Sequence, residues 1–146
     1  MPVSTTTLPA RPDLGWSIGL QDPGTLDQWL DAIDRGFETA TLDALKKRME
    51  LSTADLARWL GTSPRTLKRR EASGRLTAEE SDRLFRLARL FERTVEVLES
   101  EADARHWLQS EQHAIGGRVP LDIARYEPGA REVERLLGRL EHGIPV

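Results

Sequence analysis

Apolar residues recur at intervals of three and four in the middle of the chain, which predicts a long amphipathic helix. Thr77 is a suitable N-cap, and Glu80 can complete a capping box by reaching back to the backbone of Thr77. The charged residues on the other faces are expected to pair with one another and with water. The apolar stripe lasts about six turns, through Leu84, Leu87, Ala88, Phe91, Val95 and Leu98.

Shorter helices are predicted on both sides of this one. Thr25 caps a first helix that ends at Gly36, and Thr41 opens a second that ends near Glu50. Because no alternating pattern runs longer than four residues, the predicted fold class is all-α. Further helical segments are predicted over about 102–108, after Pro120, and up to Gly143.

Two helices joined by a glycine turn precede the long helix. Ser52 starts the first, Ser63 starts the second with Pro64 at its first position, and Gly74 ends it. Between them lies the Gly61 turn. This arrangement predicts a helix-turn-helix.

The spacing within this pair favours a helix-turn-helix that reads DNA. Ala57 is small enough for a helix crossing, Gly61 suits the turn, and Leu67 can pack on the inner side of the second helix. Paired helices with a glycine turn also occur in proteins that never bind DNA, so the spacing alone leaves both interpretations open.

Composition narrows the class of protein. Hydrophobic residues make up 38% of the chain and cysteine is absent, which is typical of a folded domain and excludes disulfides and thiolate metal sites. No run approaches the roughly 20 apolar residues of a membrane-spanning helix, and the N-terminus lacks the order of a signal peptide. We therefore expect a cytoplasmic protein without a membrane partner.

The net charge of −3 conceals a basic block. Residues 46–75 carry a net charge of +6, whereas residues 1–45 carry −5 and residues 76–146 carry −4. Such a block can contact a polyanion, or it can be a solvated face without a partner.

The second helix of the pair lies inside this block, which favours the DNA-binding interpretation. Arg65 and Lys68 are expected to reach base edges, and Trp59 is expected to pack rather than to stack on a base. Arg70 stands where a more apolar residue would be expected. The other predicted DNA-binding residues, mostly for phosphates, are Arg58, Thr66, Arg69, Arg70 and Arg75.

A catalytic function has little support in the residues. His106, His113 and His142 lack metal-ligand spacing with any pair of carboxylates, and the Gly116-Gly117 pair is most simply a turn. No combination of nucleophile, base and orienting group can be proposed, so we predict no catalytic site, no metal and no cofactor.

Several ordered motifs resemble a known family. The stretches 60–70 and 74–84 are similar to the helix-turn-helix half of the Xre/MbcA/ParS antitoxins. The stretches 104–108, 116–122 and 129–143 are similar to the C-terminal toxin-binding domain of that family. The resemblance covers about residues 25–146.

The resemblance implies two domains behind an N-terminal arm. The helix-turn-helix domain would span 25–98 and the toxin-binding domain 99–146. Residues 1–24 are rich in proline and glycine and show no periodicity, so we expect an irregular or disordered arm that becomes ordered only on a partner.

The resemblance also implies a function. Antitoxins of this family neutralise a RES-domain toxin, an NAD⁺-depleting enzyme of ADP-ribosyltransferase-like fold, by covering its NAD⁺ cleft. They also repress their own operon by binding promoter DNA as oligomers. The implied partners are a cognate RES-domain toxin, operator DNA and further copies of the chain, as a homodimer and in a higher-order complex with the toxin.

The toxin-binding residues are expected near the C-terminus. A cleft that binds an anionic dinucleotide should be electropositive, so acidic and apolar groups suit an inhibitor that covers it. The predicted toxin-binding residues are Glu134, Arg139, Glu141, His142, Ile144 and Val146.

The alternative function is a stand-alone regulator whose C-terminal domain dimerises or senses a ligand.

Overall fold

The structure, a computed structural model, describes residues 14–144. Those residues form eight α-helices and two short 3-10 turns and contain no β-strand, which confirms the all-α prediction. The helices are α1 (Leu26–Arg35), α2 (Thr39–Met49), α3 (Thr53–Leu60), α4 (Pro64–Ser73), α5 (Ala78–Leu98), α6 (Glu101–Leu108), α7 (Pro120–Ile123) and α8 (Glu127–Glu141).

Helix α5 is the centre of the fold. It begins with the predicted capping box: the Thr77 hydroxyl accepts the Glu80 N–H at 3.1 Å, and the Glu80 carboxylate accepts the Thr77 N–H at 2.8 Å. Its apolar stripe is buried, with Leu84, Leu87 and Phe91 fully enclosed. Helices α1, α3, α6 and α8 all pack against it, so both predicted domains share this helix.

The other predicted helix boundaries are largely confirmed, with one exception at α2. Thr25, Ser52 and Ser63 each accept a hydrogen bond from a backbone N–H in the first turn of their helices. Helix α2, however, begins at Thr39 rather than at Thr41. Its start is fixed by a hydrogen bond to a residue distant in the sequence, because the Thr39 N–H donates to the carbonyl of Gly74. The Thr41 hydroxyl instead donates to the Glu38 carbonyl, within the first turn of α2.

The turn between α3 and α4 favours glycine for two reasons. Gly61 has a φ of +70°, a left-handed conformation that side chains disfavour. A Cβ there would also lie 2.0 Å from Nη1 of Arg83, whose guanidinium covers the turn and donates to the Leu60 carbonyl at 2.8 Å. Arg83 therefore holds the helix-turn-helix against α5.

A buried tryptophan joins the two halves of the chain. Trp59, near the end of α3, is 8% exposed, and its indole Nε1 donates to the Leu121 carbonyl in α7 at 2.9 Å. The expectation that Trp59 packs is confirmed. Helix α7 is held in turn by α8, where Gly129 approaches the Ile123 carbonyl so closely that a Cβ would lie 1.9 Å from its oxygen.

Within the predicted irregular or disordered arm, residues 15–18 form a packed turn. Ser17 and Ile18 lie in a 3-10 turn and are buried. The buried Glu92 carboxylate of α5 accepts hydrogen bonds from the N–H of Gly15 at 2.9 Å and from the N–H of Ser17 at 3.1 Å. This stretch is packed because it satisfies a buried charge that local sequence patterns do not reveal. The rest of the predicted arm, residues 1–13, lies outside the described residues.

Candidate functional site

Three exposed cations share one face of α4. Leu67 is buried on the inner side of the helix, and Arg65 and Arg69 lie one turn apart on the opposite side, with Lys68 next to them. Among residues 14–144, these three side chains have no hydrogen-bond or ion-pair partner on the chain. We call Arg65, Lys68 and Arg69 the cationic face. It is the part of the predicted DNA set that has no internal partner among the described residues.

The other four predicted DNA-binding residues are already engaged within the chain. Nη2 of Arg58 lies 3.3 Å from Oδ1 of Asp55, and Nη1 of Arg58 lies 3.8 Å from Oδ1 of Asp122. Nη1 of Arg75 donates to the Gly36 carbonyl at 2.8 Å. The Thr66 N–H and hydroxyl bond to the N-cap Ser63. These contacts hold the hairpin and its surroundings in place. The fourth residue, Arg70, makes the strongest of these contacts.

Arg70 and Glu80 form a partly buried ion pair at the base of α4. Nε of Arg70 lies 2.9 Å from Oε1 of Glu80, with side-chain exposures of 25% and 8%. Burial by itself raises the pKa of Glu80, but hydrogen bonds from the Thr77 backbone and from Arg70 outweigh it and leave the pKa below its ordinary value. One carboxylate thus caps α5 and fixes the last turns of α4. This is why an arginine occupies a position where an apolar residue was expected.

We expect Glu80→Gln to lower the free energy of unfolding by about 1 kcal/mol at pH 7, because glutamine can still cap Thr77 but loses the charge that pairs with Arg70. Since the folded-state pKa of Glu80 is depressed, its stabilising effect is present above the unfolded pKa of about 4.3 and disappears as the pH falls through the folded value. Denaturant titrations at pH 7, 4 and 3 should therefore show the two proteins converging at low pH. A constant difference across that range would contradict the ion-pair explanation.

The second candidate surface is the C-terminal end of α8. Gly143 and Ile144 close this helix with a Schellman motif: the Ile144 N–H donates to the Arg139 carbonyl at 2.9 Å and the Gly143 N–H to the Leu140 carbonyl at 3.3 Å. The backbone of Ile144 is therefore fixed, and its side chain is 48% exposed. The exposed side chains of Arg139 and His142 lie beside it.

The two glutamates of the predicted toxin-binding set differ in their surroundings. Glu141 forms a two-pronged ion pair with Arg93 of α5, at 2.6 and 3.0 Å, and this hydrogen bonding raises the pKa of Arg93 above its ordinary value. Glu134 lies two turns earlier, where it lines a groove between α5 and α8. Glu141 thus fixes the end of α8 to α5, and Glu134 is set back from the tip. Val146 lies outside the described residues.

The chain matches two family models. Residues 28–89 match the antitoxin Xre-like helix-turn-helix domain, and residues 93–143 match the antitoxin Xre/MbcA/ParS C-terminal toxin-binding domain. Together the two matches include the cationic face, the Trp59 contact and all of α8.

Curated relatives agree with these matches. An antitoxin Xre from Yersinia enterocolitica is 33% identical over 117 residues, which are 79% of each chain. An antitoxin Xre from Photorhabdus laumondii is 30% identical over 125 residues, 84% of each chain, and one from Pseudomonas putida is 34% identical over 80 residues, 54% of this chain and 50% of that relative. This chain belongs to the Xre antitoxin family.

Membership in the Xre antitoxin family confirms the predicted resemblance and the order of a helix-turn-helix domain followed by a toxin-binding domain. The two matched regions meet inside α5, between residues 89 and 93.

In residues 14–144, no cluster of three or more acidic or histidine side chains could hold a metal ion. No helix in the same residues is long and apolar enough to cross a membrane.

Sequence reasoning missed three residues that position these surfaces. Arg83, Arg93 and Glu92 were all expected to be ordinary charged positions on the outer faces of α5. They instead support the hairpin turn, the end of α8 and the N-terminal turn, respectively. The signal that could have found them is weak, because each partner is far away in the sequence.

Proposed function

We propose that this Xre antitoxin neutralises a cognate RES-domain toxin and represses its own promoter, and that it does both in the cytoplasm. The toxin type and the NAD⁺ cleft come from the family resemblance. The observation that carries the toxin half of the proposal is the end of α8 within the matched toxin-binding domain, where a Schellman motif holds an exposed isoleucine in place. Because the backbone of this isoleucine is already fixed, it loses less conformational entropy on entering a cleft than a residue of a free chain end would.

The DNA half of the proposal is carried by the cationic face. Arg65, Lys68 and Arg69 lie on a capped helix within the matched helix-turn-helix region, with no internal partner among residues 14–144. Arginine can bind guanine in two-pronged geometry, and both residue types bind phosphate. The internal contacts of Arg58, Arg70 and Arg75 hold the surrounding structure that presents this face.

The deciding experiment is co-expression with the product of the neighbouring gene, followed by co-purification and a measurement of cellular NAD⁺. We expect a stable complex and recovery of the NAD⁺ level. If the neighbouring protein fails to co-purify at micromolar concentration and NAD⁺ still falls, toxin neutralisation is excluded and the stand-alone regulator remains. A neighbour that leaves NAD⁺ unchanged when expressed alone would exclude the RES assignment.

We expect Ile144→Asp to weaken toxin binding by at least about tenfold, because it places a charge where an apolar side chain enters the partner. Titration of the purified toxin, with binding followed by calorimetry, measures the change. Ile144→Leu keeps the apolar surface and should restore most of the affinity. Leu26→Asp is the matched control, since Leu26 is 71% exposed on α1, outside the matched toxin-binding domain. Equal affinities for Ile144→Asp and Leu26→Asp would exclude Ile144 from the interface.

A further inference from the structure

A groove between α5 and α8 has the size and the lining of a small-molecule site. Its volume is about 570 Å³, within the usual range for ligand pockets, and apolar side chains supply most of its surface. Trp59, Leu90 and Ala124 are buried and form its floor, whereas Tyr126 is 64% exposed at its edge. Ala130 of α8 is small, so it leaves the space above the floor open. The groove can therefore accept an apolar group of the size of an aromatic ring.

Internal contacts hold the walls of this groove in place. The indole Nε1 of Trp59 already donates to the Leu121 carbonyl, so the position of the ring is fixed and its polar atom is satisfied. The close approach of Gly129 to the carbonyl of Ile123 sets α8 against α7. A ligand that enters such a groove orders few side chains, which lowers the entropic cost of binding.

Most of the charged residues around the groove are paired within the chain. Each pair is a cation with an anion, so none of them gives the groove a preference for ligands of one sign. The pairs are Arg86 with Asp82, Arg131 with Glu127, and Arg135 with Glu132.

Two charged side chains of the groove lie outside these pairs, and they have opposite signs. Arg89 of α5 is exposed and makes no hydrogen bond or ion pair among the described residues. Glu134 of α8 also makes none within residues 14–144, although its charge interacts with Arg93 through space. The groove therefore offers one cation and one anion beside an apolar surface.

We propose that this groove binds a small aromatic zwitterion of the α-amino-acid class. The aromatic ring packs between Trp59 and Tyr126, because aromatic pairs gain stabilisation beyond the area that they bury. The carboxylate pairs with Arg89, whose guanidinium can bind it in two-pronged geometry, and the ammonium pairs with Glu134. A ligand with only one of these charges would leave either Arg89 or Glu134 without a partner.

The proposed site contacts both parts of the chain. Trp59 and Arg89 belong to the matched helix-turn-helix region, whereas Tyr126 and Glu134 belong to the matched toxin-binding region. The site leaves the cationic face of α4 and the tip of α8 unused. The proposal therefore goes beyond toxin neutralisation and promoter binding and does not depend on either.

Three indole probes test the two charges separately, by calorimetric titration of the full-length chain. L-tryptophan carries both charges, tryptamine carries only the ammonium, and indole-3-propionate carries only the carboxylate. We expect L-tryptophan to bind with a dissociation constant below about 1 mM and the other two at least about tenfold more weakly. In Arg89→Gln, L-tryptophan should lose its advantage over tryptamine. In Glu134→Gln, it should lose its advantage over indole-3-propionate.

Two further variants serve as controls. Arg118→Gln removes an exposed cation outside the groove and should leave both preferences unchanged. Ala130→Phe fills the groove and should abolish binding of all three probes, with circular dichroism to check that the variant folds.

Four outcomes would overturn the proposal. The first is no saturable binding of L-tryptophan to the wild type up to about 10 mM. The second is equal affinity of the wild type for all three probes, which would indicate apolar adsorption alone. The third is a preference for L-tryptophan that survives both Arg89→Gln and Glu134→Gln. The fourth is loss of only the complex with the neighbouring gene product in Ala130→Phe, which would make that protein the occupant of the groove.

Discussion

Arg65→Ala and Lys68→Ala are each expected to weaken binding to the chain's own promoter DNA by about 1–3 kcal/mol, or roughly 5- to 150-fold. Both residues lie near the start of α4 on the cationic face, where the N-terminal part of a recognition helix contacts base edges. Each loss should be larger for the promoter than for unrelated DNA, because a base contact contributes to sequence discrimination. Fluorescence anisotropy with both DNAs at one fixed salt concentration measures the difference.

The neighbouring Arg69 gives a matched comparison. If Arg69 contacts phosphate, Arg69→Ala should weaken binding to both DNAs about equally and reduce the salt slope by about 1. Arg118→Ala is the control, because Arg118 is an exposed cation on the loop before α7, outside α4. Unchanged promoter affinity in both Arg65→Ala and Lys68→Ala would remove these two residues from the DNA interface.

The helices could be predicted from the sequence because their signals are local. A cap such as Ser63 acts on a residue three positions away, and a C-terminal glycine such as Gly74 acts within its own turn. The apolar stripe of α5 repeats once per turn, so its buried face follows from helix geometry. The start of α2 could not be found in this way, because it depends on pairing with Gly74, well along the chain.

The candidate sites were predicted as sets of mainly charged residues, and the structure gives the members of each set different partners. Sequence patterns identify an arginine but do not show its partner. Arg65 and Arg70 are five residues apart on one helix, yet only Arg70 meets the carboxylate of Glu80. The contacts that arrange the C-terminal end are more distant still: Arg93 and Glu141 are separated by 48 residues, and Trp59 and Leu121 by 62. Only the folded chain brings such pairs together.

Glu92→Ala is expected to lower the free energy of unfolding by about 2–3 kcal/mol, the largest stability effect of a single charged residue considered for this fold. Glu92 is 4% exposed, and its removal leaves the N–H groups of Gly15 and Ser17 without their acceptor. The Ser17 hydroxyl loses its acceptor as well. The loss has an upper limit, because the N-terminal turn can detach and return these groups to water at the cost of exposing Ile18.

Detachment of that turn gives the prediction a second readout. Glu92→Ala should speed the hydrogen exchange of the Gly15 and Ser17 amides and leave exchange in α4 unchanged. Glu92→Gln keeps an acceptor oxygen but buries an amide NH₂, so its effect on stability should be intermediate. The matched control is Glu96→Ala, one turn later on α5, where an exposed pair with Arg93 at 3.6 Å should contribute at most about 0.5 kcal/mol. If Glu92→Ala and Glu96→Ala shift unfolding equally, the packing of the N-terminal turn does not depend on the buried carboxylate.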